Sequence, residues 1–243
     1  MSQATAPIRH ADRFYVGGQW VAPSSGATIS VIDSDTEQVY FTVPEAQAAD
    51  ISRAVEAARE AFDNGPWPWL THEERAGYLR AIGAELKRRS AEIGQIWPRE
   101  SGVLHAIARN GGKGAERTFS AFAALASTYP FEEQAKPTTG QFGLLVREPV
   151  GVVGAIIPWN APMGLISNKV APALLAGCTV ILKCSPEAPG EGYLIAEAAE
   201  AAGLPAGVLN VVTADREVSE LLVRDPRVDK ITFTGSTAAG RRI

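Results

Sequence analysis

The chain has 243 residues, 46% of them hydrophobic, which is enough to bury a sizeable core in one large domain or two smaller ones. A formal charge of −4, from 23 basic against 27 acidic residues with no polybasic run, argues against a nucleic-acid or anionic-membrane surface. The two cysteines, Cys178 and Cys184, lie six apart with no second pair, which supports neither a disulfide framework nor a metal cluster and fits a reducing cytoplasm.

The opening MSQATAPIRHADR has no apolar leader core, and no uninterrupted apolar run approaches the ~18 residues of a spanning helix, so a soluble, unprocessed chain is expected. Phe14 to Val21, FYVGGQWV, places Gly17-Gly18 between aromatic and β-branched halves, a hairpin signal. Thr28 to Ile32 and Gln38 to Val43 alternate as short strands. From Asp50, taken as N-cap, the period becomes helical through Ile51, Val55, Ala58 and Phe62, and Asn64-Gly65-Pro66 stops it. Thr71 and Glu74 form a capping box before a helix with Tyr78, Ile82 and Leu86 as its buried stripe. Ile93 to Tyr129 reads as mostly helical, weakened by Gly102, Gly111, Gly112 and Gly114. Gly140 to Glu148 reads as an extended strand ending before Pro149.

Beyond Val150 the pattern alternates. Strands are expected at Val152 to Ile157, Thr179 to Lys183, Val208 to Val212 and Lys230 to Thr234. Helices are expected between them at Gly164 to Ala176, Pro189 to Ala202, with Pro189 in the first turn and Gly203 as left-handed cap, and Glu217 to Val223. Such repetition implies an α/β fold with an open parallel sheet and right-handed crossovers.

In such sheets ligands gather beyond the carboxyl ends of the strands. Three ends carry chemistry: Pro158-Trp159-Asn160, Lys183-Cys184-Ser185-Pro186-Glu187, and Thr234-Gly235-Ser236-Thr237. A strand running into Gly-Ser at a helix start suits a phosphate, although it is also ordinary turn chemistry. Lys183 could meet a ribose hydroxyl or phosphate, or simply reach solvent. Asn160 could donate to a developing oxyanion, or merely turn the chain. Cys178 and Cys184 would need an activating base to act as nucleophiles, and Cys178 after Gly177 reads more simply as a packing residue. His10, His72 and His105 stand at no metal-ligand spacing.

Together and in this order, these segments resemble the NAD(P)-dependent aldehyde dehydrogenase superfamily. The resemblance rests on Ile157-Pro158-Trp159-Asn160, KVAPALLAG at Lys169 to Gly177, TVILK at Thr179 to Lys183, GLPAGVLN at Gly203 to Asn210, and FTGSTAAG at Phe233 to Gly240. YVGGQWV, AAREAFDNGPW and REPVGVVGAI extend it over nearly the whole chain. It implies a Rossmann-like sheet without a GxGxxG fingerprint, and Asn160 as the oxyanion-hole donor. Ile156, Ile157, Pro158 and Trp159 would line the cofactor cleft, and Lys183, Ser185, Pro186 and Glu187 its ribose end. Phe233, Thr234, Gly235 and Ser236 would face the pyrophosphate, and Phe142 to Arg147 would belong to an oligomerisation arm.

The departures shape what to expect. The family's glutamate base and its cysteine nucleophile lie in motifs that follow the segment ending here at Ile243. That cysteine attacks the aldehyde, hydride passes to the nicotinamide, and a thioester is hydrolysed to acid. Ser236 opens a helix with fewer than the ~12 residues that autonomous stability needs. The chain is therefore expected to be the cofactor-binding portion, with 1–139, 140–149 and 150–243 as hairpin and helices, arm, and dinucleotide units. It would be inactive alone, and a homo-oligomer or the companion of a catalytic half; the alternative is a catalytically inactive nucleotide-binding module. Cys184 stands where the family usually has proline, Pro186 where it often has a ribose-binding glutamate, and Glu187 is displaced by one. TADRE at Thr213 to Glu217 lacks an expected glycine. NAD is favoured slightly over NADP.

Overall fold

The computed structural model describes residues 6–243, so the expectation about an N-terminal leader falls partly outside the described residues. Phe14–Val16 (β1) and Gln19–Val21 (β2) form the expected hairpin, with Gly17 and Gly18 at φ 62° and 75°, which glycine adopts without Cβ strain. Thr28–Ile32 (β3) and Val39–Pro44 (β4) pair antiparallel in a separate two-stranded sheet.

The next helix, Ala48–Asp63 (α1), starts earlier than expected, because its N-cap is Gln47 and not Asp50. Asp50 lies inside the first turn, fully buried, and its carboxylate accepts from the Gln47 N–H (3.0 Å), the Ser24 N–H (2.9 Å) and hydroxyl (2.6 Å), and Arg53 (2.9 Å). A 3-10 turn over Trp67–Trp69 leads to His72–Arg88 (α2). Its capping box is as expected: the Glu74 N–H donates to Thr71 Oγ1 at 3.2 Å and the Thr71 N–H to Glu74 at 2.7 Å. Ile82 and Leu86 are buried, whereas Leu79 takes the buried place beside a half-exposed Tyr78.

Ile93 to Tyr129 is helical in three pieces: Ser90–Ser101 (α3), His105–Ala108 (α4) and Gly111–Thr128 (α5). Gly102, at φ 67°, closes α3. The glycines that weaken helix propensity here also permit packing, since a Cβ at Gly112 would lie 2.3 Å from the Leu86 carbonyl oxygen where α5 crosses α2. Glu132–Ala135 (β5) pairs antiparallel with Gly143–Val146 (β6). The extended segment expected at Gly140 to Glu148 thus has a partner strand that its EEQA sequence, with no apolar alternation, did not announce.

The alternating half follows its sequence closely: Val152–Ile156 (β7), Pro162–Leu175 (α6), Thr179–Cys184 (β8), Gly190–Ala201 (α7), Leu209–Thr213 (β9), Arg216–Arg224 (α8), Lys230–Phe233 (β10) and Thr237–Gly240 (α9). Pro189 is the N-cap of α7 instead of a first-turn residue. Gly203 (φ 66°) closes α7 with the Leu204 N–H on the Ala199 carbonyl and the Gly203 N–H on that of Glu200, both 3.0 Å. Gly177 (φ 92°) closes α6 in the same way, with Cys178 N–H on Ala173 and Gly177 N–H on Leu174.

The main sheet runs β10-β7-β8-β9-β1-β2. Its first four strands are parallel and the hairpin adds antiparallel at the β9 edge, so the N-terminal segment completes the sheet instead of standing apart from it. Both faces are covered. Val152, Ile156, Ile181 and Val212 pack against α1 and α8, whereas Val153, Ala155, Val180, Leu182 and Val211 pack against α6 and α7.

Candidate active site

The chain winds from β7 to β8 and β9 on one side, then returns by α8 to place β10 on the other side of β7. The order of strands therefore reverses beside β7, the position at which open α/β sheets form a ligand crevice. Register brings Lys183 and Phe233 level with Ile156 on its two sides. Hydrogen bonds continue past the strand ends, from the Ile157 N–H to the Lys183 carbonyl (3.3 Å) and from the Thr234 N–H to the Ile156 carbonyl (3.1 Å). The three ends singled out from the sequence are thus adjacent.

On the β8 side Lys183 is buried, and its ammonium makes no hydrogen bond or ion pair among the described residues. Desolvation holds its pKa below the usual lysine value, with Glu187 and Asp215 opposing that shift and Arg216 adding to it. Ser185 is buried and its hydroxyl donates to the exposed Glu187 carboxylate, while Pro186 is half-buried. On the β10 side Gly235 and Ser236 are exposed, and Ser236 Oγ caps α9 by accepting from the Ala239 N–H at 3.2 Å. Phe233 and Thr234 are half-buried, and the Phe233 ring fills the space over Gly235, where a Cβ would come within 2.4 Å.

Between them, Ile156 and Ile157 are buried, Pro158 is half-buried, and Trp159 and Asn160 are exposed at the mouth. The carbonyls of Trp159 and Asn160 accept from Ser101 Oγ (2.6 Å) and Trp97 Nε1 (3.0 Å) of α3. Behind this segment lie two buried carboxyls. Glu191 accepts from the Met163 N–H (2.6 Å) at the start of α6, and Glu100 accepts from the Gly190 N–H (2.8 Å) at the start of α7. Burial raises Glu191 to about 8 and Glu100 well above the carboxylate range. Trp97, Glu100, Ser101 and Glu191 were not singled out in the sequence, and nothing in helix periodicity marks them.

Neither cysteine is arranged as a nucleophile. Both are buried and free, burial pushes Cys184 up to about 12, and Cys178 is raised for the same reason. The Cys184 sulfur packs against Gly192, where a Cβ would lie 2.1 Å away. The histidines serve locally: His10 stacks on Trp20, His72 on Phe131, and His105 Nδ1 lies 3.1 Å from the Gly94 carbonyl. No group of residues suited to a metal occurs among the described residues, and no helix there is long and apolar enough to cross a membrane. A concavity of about 300 Å³ lined by Gly17, Ala57, Asn64 and Gly207 lies at the amino end of β9, away from this crevice.

Residues 20–243 match the family described as the aldehyde dehydrogenase family. The chain is similar to geranial dehydrogenase of Castellaniella defragrans, 42% identical over 94% of this chain and 48% of that protein. It is also similar to betaine aldehyde dehydrogenase 1 of Oryza sativa, 37% identical over 94% and 47%. Among solved structures, the aldehyde dehydrogenase of Mycobacterium tuberculosis complexed with NAD+ superposes with a TM-score of 0.91 at 40% identity, over 95% of this chain and 48% of that one. The chain spans about half the length of these relatives. It belongs to the aldehyde dehydrogenase family.

Proposed function

We propose that this chain supplies the dinucleotide cleft and the oxyanion donor for NAD(P)-dependent oxidation of an aldehyde to a carboxylic acid. The observation that carries the reading is the convergence of the β7, β8 and β10 carboxyl ends at the point where strand order reverses, with the unpartnered ammonium of Lys183 among them. The Lys183 stem is buried while its ammonium keeps contact with solvent in the crevice, where a ribose or phosphate oxygen would give it a partner.

In this reading Lys183, Ser185 and Glu187 hold the adenosine ribose, with Pro186 shaping that edge. Phe233, Thr234, Gly235 and Ser236 face the pyrophosphate, and Ile156, Ile157, Pro158 and Trp159 form the apolar wall. When bound, the dinucleotide supplies the hydride acceptor. Asn160 donates its side-chain N–H to the carbonyl oxygen as negative charge develops there, a contribution of about 3 kcal/mol in comparable sites. The Glu187 carboxylate disfavours a 2′-phosphate, which supports NAD over NADP, and the similar solved structure named above is an NAD+ complex.

By itself this chain is read as non-catalytic, because both of its cysteines are buried thiols with raised pKa values. The β5–β6 arm, with Phe142, Leu144, Leu145 and Val146 exposed, is read as the surface through which copies or a catalytic companion associate. Free buried thiols fit a cytoplasmic location. Calorimetry with NAD and NADP, paired with an assay for aldehyde-dependent NADH, tests the whole reading. Saturable NAD binding without turnover is expected. Turnover that survives Cys178→Ala and Cys184→Ala would overturn the non-catalytic assignment, and a folded chain that binds neither dinucleotide would overturn the cleft.

A further inference from the structure

We infer that Trp97 and Ser101 are positioning residues that fix where the Asn160 carboxamide stands, an inference that rests on the reading of Asn160 as oxyanion donor. Asn160 is exposed in the irregular stretch between β7 and α6, and its carboxamide has no hydrogen-bond partner among the described residues. The place from which it reaches, its Cα–Cβ bond, is therefore set by the backbone that carries it. That backbone is held from outside its own strand-helix unit. The Trp159 and Asn160 carbonyls are taken by two side chains one helical turn apart on α3, at 58 and 63 residues' separation in sequence.

Helix α3 is a fixed frame for this purpose. The Arg99 and Pro98 carbonyls accept from the Ser34 N–H (2.7 Å) and hydroxyl (2.9 Å), and the Glu100 carboxyl takes the Gly190 N–H at the head of α7. Pro98 cannot donate to the Gly94 carbonyl one turn back, and His105 Nδ1 lies 3.1 Å from that oxygen instead. On the far flank, the Met163 N–H is held by Glu191. A plain turn needs only local hydrogen bonds, whereas this one is clamped on both sides by buried or half-buried groups from α3 and α7. Small displacements of a donor from its working geometry are what such clamping prevents.

The test uses the intact chain labelled for NMR, with the Asn160 side-chain amide assigned by its loss in Asn160→Asp. One sharp pair of amide signals is expected in wild type. Ser101→Ala and Trp97→Phe are each expected to broaden or split that pair without unfolding the chain. In Ser101→Ala the Trp97 indole proton should exchange about fivefold faster, the loss expected for one neutral hydrogen bond. Ser101→Thr keeps the hydroxyl and is expected to retain the wild-type spectrum. An Asn160 signal unmoved in both Ser101→Ala and Trp97→Phe overturns the inference. So does a Ser101→Thr spectrum like that of Ser101→Ala, because the effect would then be packing and not the hydrogen bond. An NAD titration of the same samples keeps the two readings apart: failure of wild type to bind NAD removes the cofactor assignment, while the Asn160 signal still decides this one.

Discussion

Strands β8 and β6 are close in apolar content and opposite in fate. All of TVILKC in β8 is buried, whereas Leu144, Leu145 and Val146 of β6 are each about half exposed (48%, 50% and 46%). The difference lies in what chain order lays over them. Crossovers through α6 and α7 cover one face of β8 and α1 with α8 covers the other, whereas β6 has only β5 beside it, exposed along its whole length. Covered strands hold their ends in a fixed register, which a binding crevice requires. An uncovered apolar strand presents surface to a partner.

The largest expected effect is on stability. Leu182→Ala in β8 should cost roughly 3 kcal/mol in chemical denaturation, the usual loss for a fully buried leucine. Leu145→Ala in β6 should stay within about 0.5 kcal/mol. Equal costs at the two sites would break the contrast.

Next is Gly192→Ala, which drives a methyl into the Cys184 sulfur at the end of β8 and should cost about 1 to 3 kcal/mol. Adding Cys184→Ala should return part of that loss in the same denaturation assay.

The pH dependence of the region behind the crevice follows from Glu191. Its folded pKa of about 8 lies above the ordinary 4.5, so the native state keeps a proton that the unfolded chain releases. Stability should therefore be greatest near the acid end of that window and fall as pH rises through it, at up to about 1.4 kcal/mol per pH unit for one proton. Glu100 shifts in the same direction, so Glu191→Gln should reduce the slope of melting temperature against pH between about 5 and 8 without abolishing it. A slope unchanged in Glu191→Gln would show that the carboxyl is solvated. The smallest effect on stability is expected from Leu144→Asp, which should leave the melting temperature in place and, if the arm mediates assembly, lower the mass seen by light scattering.

Much of this was legible beforehand because the signals are local. Strands β7 to β10 fall within one residue of their expected bounds at each end, since a short apolar run closed by Gly177 or Gly203 has few alternatives. The strand ends carrying Asn160, Lys183 and Gly235 could be placed at the carboxyl end of one parallel sheet by topology alone. What escaped was non-local. Asp50 reads as an N-cap until Ser24 and Arg53 fold over its carboxylate. EEQA gives no sign of pairing until β6 lies beside it. Trp97 and Ser101 look like ordinary positions of an amphipathic helix, and only the fold brings their donors to carbonyls about 60 residues away. Cys184 invited a nucleophile reading that its enclosure against Gly192 removes.

The proposed dinucleotide cleft lies at the carboxyl ends of the covered strands and not on the arm. Calorimetric titration of NAD into wild type, Lys183→Ala and Leu144→Asp tests it most directly. Saturable one-to-one binding by wild type is expected, with affinity weakened about tenfold or more in Lys183→Ala, as for loss of one charge-assisted contact, and no change in Leu144→Asp. A folded Lys183→Ala chain that binds NAD as tightly as wild type would contradict it.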